Sequence, residues 1–214
     1  AAAELCVTVS AISHRIRQLE SHLGIRLFSR GDFTLTGEGA AEIGFTTMEA
    51  VTYGTTVDSL LAIQYLVFDK KECTMQELIT ALRDNWAGHE VLQAKAKYKA
   101  PKYGRDDDEA DRLAWQVMEL WTGETWTHKT KSTGRQYRPG MLSWNYWIGS
   151  GFILPATADG RKRGQFLSNA ICPVNGRDKF GPTANANSVG TALGGKDPDL
   201  HALVRVLVGL DLGR

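Results

Sequence analysis

Apolar residues recur at helical spacing over most of the first 120 positions. Ile12, Ile16, Leu19 and Leu23 make one stripe of a helix that Ser10 caps and Gly24 ends. Val57, Leu60, Leu61, Ile63, Leu66 and Val67 predict a second helix, apolar enough to be buried. Thr74, with Glu77 three residues on, reads as a capping box before a third, whose inner face is Leu78, Leu82 and Trp86 and which Gly88 ends. Asp106, Asp107 and Asp108 can cap a fourth, running to about Trp121 with Leu113, Ala114, Val117, Leu120 and Trp121 inward. The lysines of VLQAKAKYKAPKYG read as a solvated face. Strand-like alternation appears in IRLFSRGDFTL, around a turn at Gly31-Asp32, and in MLSWNYWIGSGFIL. In the latter, Trp144, Tyr146 and Trp147 are core residues or line an aromatic pocket. Gly123 to Pro139 is polar and predicts a surface loop. Pro155 to Thr191 mixes glycine and proline with Phe166, Leu167, Ile171, Val174, Phe180 and Val189, which need burial, so it predicts an ordered loop-and-strand region. Leu200, Leu203, Val204 and Leu207 predict a short terminal helix over 199–214. The pattern is mixed α/β.

Composition narrows the function classes. A chain of 214 residues, 43% hydrophobic and 23% charged, has room for one or two domains with a real core. A net charge of +1 gives no general electrostatic case for nucleic acid or a membrane surface. No apolar run reaches the length of a membrane span, and no signal pattern opens the chain, so the cytoplasm is the default. Cys6, Cys73 and Cys172 lack CxxC spacing, which argues against a disulfide framework or a zinc site and for small buried hydrophobes. Three contiguous aspartates cannot all face one ion, so capping is the better reading of Asp106–Asp108. No metal ligands and no cofactor-binding residues emerge.

The wording of residues 158–189, ADGRKRGQFLSNAICPVNGRDKFGPTANANSV, resembles a segment of glycyl-radical enzymes that reads DGRKAG, then a small-residue run, then G-D-K-x-GPTA and NSV. Gly54 to Trp86 and APKYGRDDDEAD (Ala100–Asp111) resemble the same family in the right order, so the likeness runs from about 45 to 197. YRPGMLSWNYW (Tyr137–Trp147) looks most like the branch that adds fumarate to hydrocarbons, such as benzylsuccinate synthase. The resemblance implies a fragment of an α/β barrel over 41–198, with Asp159, Gly160, Arg161, Gly181, Pro182 and Thr183 as signature loops. It also implies carbon–carbon bond chemistry by radical hydrogen abstraction. In the family, a partner enzyme using S-adenosylmethionine and an iron–sulfur cluster installs a glycyl radical, which passes to a cysteine. The family's cysteine loop (G-C-x-E or a close variant) and glycine loop (R-V-x-G-Y-like) do not occur in this chain. Cys73 and Cys172 stand in other wording. The expectation is a chain with no catalytic residue of its own.

Residues 1–40 carry different wording. AAAELCVTVSAISHRIRQLESHLGIRLFSR and LTGEGA resemble the winged helix-turn-helix of LysR-type regulators, without the first helix of that motif. The resemblance places Ser10, Ser13 and His14 against bases, with Thr8, Arg15 and Arg17 near phosphates. Four arginines against four acidic residues make a weak electrostatic footprint for DNA. The reading is a composite: a partial DNA-binding unit over 1–40, joined between Gly39 and Phe45 to an enzyme fragment reaching about Lys196. Expected partners are DNA through 1–40 and other chains completing the barrel. A barrel piece with open edges is expected to oligomerise.

Overall fold

The computed structural model describes residues 9–29, 36, 46–141, 145–177 and 179–194. They divide between two units: residues 1–47 with 128–138, and residues 48–127 with 139–214.

In the first unit, helix α1 spans Val9–Leu23. Gly24 follows at φ +68°, a left-handed angle at which glycine carries no Cβ strain. The Glu20 carboxylate then accepts the backbone N–H groups of Leu27 (2.8 Å) and Phe28 (3.1 Å), fixing the chain as it leaves the helix. Leu27 is buried, and its carbonyl accepts the Thr36 N–H at 3.0 Å. That is the pairing a hairpin requires, although the turn at Gly31-Asp32 lies outside the described residues. In the second segment of this unit, Lys129 and Gln136 form an antiparallel bridge.

Strands β1 (Thr46–Ala50) and β2 (Tyr137–Met141) pair as a two-stranded sheet. Helix α2 (Tyr53–Ile63) runs on into a π-helical turn, Gln64–Asp69. It buries two adjacent stripes, each with a four-residue step. Tyr53, Val57 and Leu61 join Tyr103, Ala110, Ala114, Met118, Val189 and Ala192 in one apolar cluster. The other stripe is Asp58, Ala62 and Leu66. Its last two members enter a second cluster with Leu78, Ala81, Trp86, Ala96, Ala100, Ala156 and Ala158. Helix α3 (Met75–Arg83) opens on the expected capping box: Thr74 Oγ accepts the Glu77 N–H at 3.2 Å, and Glu77 accepts the Thr74 N–H at 2.7 Å. Such a box satisfies two N–H groups that the start of a helix otherwise leaves open. Helices α4 (Glu90–Tyr98), α5 (Asp108–Thr127), α6 (Tyr146–Ile153) and α7 (Gly181–Ala192) follow among the described residues of the unit. Asp107 caps α5 as expected, accepting the N–H groups of Glu109 (3.1 Å) and Ala110 (3.0 Å). Helix α5 packs against both α2 and α7.

Several expectations are corrected. Helix α5 passes Trp121 and reaches Thr127, and Leu120 points outward, 73% exposed. The polar stretch Gly123–Pro139 is therefore helix at its start and the first part of β2 at its end. Tyr146–Ile153 is a helix, not a strand. It is apolar at successive positions, and a short continuous run has no period to separate the two states. Trp144 lies outside the described residues. Pro155–Thr191 contains no strand among its described residues: it is loop up to Phe180, and then α7 with Pro182 in its first turn. Leu167, Val174 and Val189 are buried as required, but Phe166 and Phe180 are exposed. Lys102 and Tyr103, within the supposed solvated face, are fully buried. Cys73 is partly buried and Cys172 exposed, so neither is a core hydrophobe. Cys6 and residues 199–214 lie outside the described residues. Among the described residues, the barrel expected from the resemblance is represented by β1 and β2 alone, and no helix is long and apolar enough to cross a membrane.

Candidate functional site: a buried charge cluster behind the signature loops

The polar member of the second α2 stripe is the centre of the site. Asp58 is fully buried, and its Oδ1 accepts the Tyr103 backbone N–H at 2.9 Å. Lys102, also fully buried, donates from Nζ to the carbonyls of Ala96 (2.9 Å) and Pro101 (3.2 Å). It acts on Asp58 and Asp159 through space. Burial pushes the Asp58 carboxyl up to about 7. The Lys102 ammonium and the Tyr103 N–H oppose that rise, Asp159 adds to it, and Arg177 opposes it. Burial likewise pulls Lys102 down to about 8, against the attraction of Asp58 and Asp159. Desolvation thus outweighs attraction on both sides of the cluster.

The DGR loop closes this cluster from another direction. Thr157 N–H donates to the Arg161 carbonyl (3.0 Å) and Gly160 N–H to the Thr157 carbonyl (3.1 Å), closing a tight turn. Gly160 stands at φ +96°, and an added Cβ would lie 3.1 Å from both the Gln93 carbonyl and Lys97 Cβ on α4. Gln93 Nε2 donates to the Gly160 carbonyl at 2.8 Å. Asp159 Oδ1 accepts the Thr157 hydroxyl and the Arg161 N–H. Arg161, 3% exposed, spends its guanidinium on backbone carbonyls: Gly151 (3.2 Å), Lys162 (3.1 Å), Gln165 (2.9 Å), Leu154 (3.4 Å) and Pro155. Its Nε reaches Thr157 Oγ at 3.2 Å. Burial lowers its pKa, and Asp159 opposes that. Arg177 donates to the Lys97 carbonyl and in turn receives Arg105 Nε on its own carbonyl at 2.7 Å.

Two further locks join the remaining signature wording. Thr55 and Ser168 exchange backbone-to-hydroxyl hydrogen bonds, each 2.8 Å. Ser188 Oγ accepts the Asp106 N–H at 2.9 Å, and Asn187 Nδ2 donates to Asp106 Oδ2 at 2.9 Å. Ser188 also hydrogen-bonds Asp111, whose carboxyl burial nonetheless raises to about 6. The Tyr53 and Tyr103 rings meet edge to face, centroids 5.5 Å apart. Residues 53–58, 100–111, 157–168 and 187–189 are thereby tied to one another.

Of the residues singled out in the sequence, Asp159, Gly160 and Arg161 belong to this joint. Gly181 (φ +89°) and Pro182 open α7, with Thr183 exposed in its first turn. Ser10, Ser13 and Arg15 lie in α1, where His14 and Arg17 are exposed; Thr8 lies outside the described residues. Asp58, Lys102 and Arg177 were not singled out. The available signal was an aspartate at a helical step from Ala62 and Leu66, and a lysine between Pro101 and Tyr103. Among the described residues, no group of three or more His, Cys, Asp or Glu could hold a metal ion.

A family model described as pyruvate formate lyase-like matches residues 17–150. The chain belongs to the pyruvate formate lyase-like family. The match begins inside α1 and runs through the junction expected near Ala41. Trans-4-hydroxy-L-proline dehydratase of Clostridioides difficile is 38% identical over 146 residues, covering 68% of this chain and 18% of that protein. (2S)-3-sulfopropanediol dehydratase of Klebsiella oxytoca is 33% identical over 195 residues, covering 87% and 23%. The B12-independent glycerol dehydratase of Clostridium butyricum matches in structure with a TM-score of 0.66 at 30% identity, over 79% of this chain and 24% of that one. The fold is thus a mixed α/β piece like part of a glycyl-radical enzyme, and the chain spans less than a quarter of these relatives' length.

Proposed function

We propose that this chain is a scaffold segment of a glycyl-radical dehydratase or lyase, and that the thiyl-forming cysteine and the radical glycine belong to residues outside it. The observation that supports this is the use made of the signature wording. Asp58 and Ser188 accept backbone N–H groups of Tyr103 and Asp106 across stretches, and Lys102, Asp159 and Arg161 are buried and committed to bonds within their own loops. The names of the relatives, dehydratases and isethionate sulfite-lyases, favour elimination from a small polar substrate over the hydrocarbon-adding branch that YRPGMLSWNYW suggested. The cofactor of the whole enzyme is then a glycyl radical, installed by an activase using S-adenosylmethionine and an iron–sulfur cluster.

A second reading concerns residues 1–40, as a partial LysR-type helix-turn-helix that docks on DNA. In its favour, α1 forms where that motif needs its recognition helix, with His14 and Arg17 exposed.

Electron spin resonance after anaerobic activation tests the main reading. The isolated chain is expected to give no glycyl doublet under conditions that activate a complete family member. A doublet from the chain alone overturns the scaffold reading. A gel shift that weakens with salt and prefers one sequence supports the second reading, and no shift at low salt with excess DNA ends it.

A further inference from the structure

The three charged groups at the centre of the joint come from three stretches: Asp58 from α2, Lys102 from the segment after α4, and Asp159 from the DGR loop. Each is 0% exposed. The backbone brings them together. The Tyr103 N–H, next to Lys102, holds Asp58 Oδ1 at 2.9 Å. Lys102 Nζ meets α4 at the Ala96 carbonyl, and Gly160, next to Asp159, lies against Gln93 and Lys97 of that same helix. Yet no direct ion pair joins the three among the described residues. Asp58 Oδ2 and Asp159 Oδ2 are buried with no hydrogen-bond partner. Lys102 uses two of its three N–H groups, on the carbonyls of Ala96 (2.9 Å) and Pro101 (3.2 Å). The cluster therefore has two acceptors and one donor still to satisfy.

We propose that Asp58 Oδ2, Asp159 Oδ2 and Lys102 Nζ together bind one internal water molecule, which ties the DGR loop to α2 and to the Lys102 segment. A water has two hydrogens to donate, one to each carboxylate, and a lone pair to accept from the ammonium. Buried waters ordinarily make about three such bonds, to groups otherwise unsatisfied. Charge disfavours the other small ligands. A cation would face Lys102, with Arg177 acting on the same group, and an anion would face two carboxylates. A proton shared directly between the carboxylates would leave the third ammonium hydrogen unanswered. This site belongs to the scaffold itself and does not depend on where the radical residues lie.

A crystal structure of the full chain that resolves ordered waters, from crystals soaked in rubidium chloride, tests this. The soak is made near pH 7.5, between the values to which burial moves Asp58 (about 7) and Lys102 (about 8), so that both are mainly charged. A water is expected about 2.6–3.2 Å from all three atoms, with no anomalous signal from rubidium. A rubidium peak there, or direct contact between the two carboxylates, overturns the proposal. Stability gives an independent reading. Asp58→Ala and Asp159→Ala each lose the same water, so the double variant is expected to raise the unfolding constant at least about threefold less than the product of the single effects. Repulsion between two carboxylates that share no water gives the opposite sign. A double effect equal to the product or above it overturns the proposal.

Discussion

Arg161→Ala is expected to cost more than about 4 kcal/mol in urea unfolding of the second unit. The wild-type guanidinium serves the carbonyls of Gly151, Leu154, Pro155, Lys162 and Gln165 from a position 3% exposed. Removing it takes a donor from each of those carbonyls, of which Gly151 keeps the Gly164 N–H, and leaves the buried Asp159 with Lys102 as a facing cation. A hydrogen bond from a charged donor is worth about 1.5–3 kcal/mol, and losses in one network do not add fully, so the figure is a lower bound for several bonds. Arg161→Lys keeps the charge but not the planar fork, and is expected to recover less than half of the loss. A cost below about 1 kcal/mol for Arg161→Ala would show that the loop holds itself.

Gly104→Ala is expected to cost about 2–5 kcal/mol, measured the same way. Gly104 stands at φ +88°, and an added Cβ would fall 2.2 Å from Cγ and 2.6 Å from Cβ of Pro173. Pro173 is itself buried, and the cyclic side chain has little freedom to retreat. Gly164 provides the control. It has the same φ of +88°, but a Cβ there meets nothing within 4 Å. Gly164→Ala therefore carries the backbone strain alone, about 1–2 kcal/mol. The difference between the two variants isolates the clash with Pro173. Equal costs would mean that residues 104 and 173 are not in contact in solution.

Helices with strong periodicity were legible in the sequence. The Thr74–Glu77 box and the Asp107 cap rest on local spacing and are found; of the apolar positions that predicted α2, Val57, Leu61 and Leu66 are buried, whereas Leu60 is 40% exposed. Tyr146–Ile153 was not legible as a helix because an unbroken apolar run fits either state. Residues 181–192 were misread because Gly181, Pro182 and Gly190 look like loop residues, whereas proline in a first turn favours a helix. The charge cluster was hidden for a different reason. Asp58, Lys102 and Asp159 lie 44 or more positions apart in sequence, and their charges give no local sign of meeting in one buried cluster. The family likeness was legible in the order of its signature words. That these words mainly hold one another is a matter of three-dimensional contact.

The central claim is that the signature stretches form one interlocked joint around a buried charge cluster. Native-state hydrogen exchange tests it most directly, through the backbone amides of Thr55, Tyr103, Asp106 and Ser168, each bonded to a side chain of another stretch. After correction for intrinsic exchange, the four are expected to share one opening free energy. That shared value should fall between pH 5 and 7.5. Burial raises the Asp58 carboxyl to about 7 and Asp111 to about 6, above their unfolded values, so each loses favourable protonation as the pH rises through that window. Lys102, pulled down to about 8, is charged throughout the window and regains stability only above it. Four unrelated opening energies, or a shared one that rises between pH 5 and 7.5, would contradict the account.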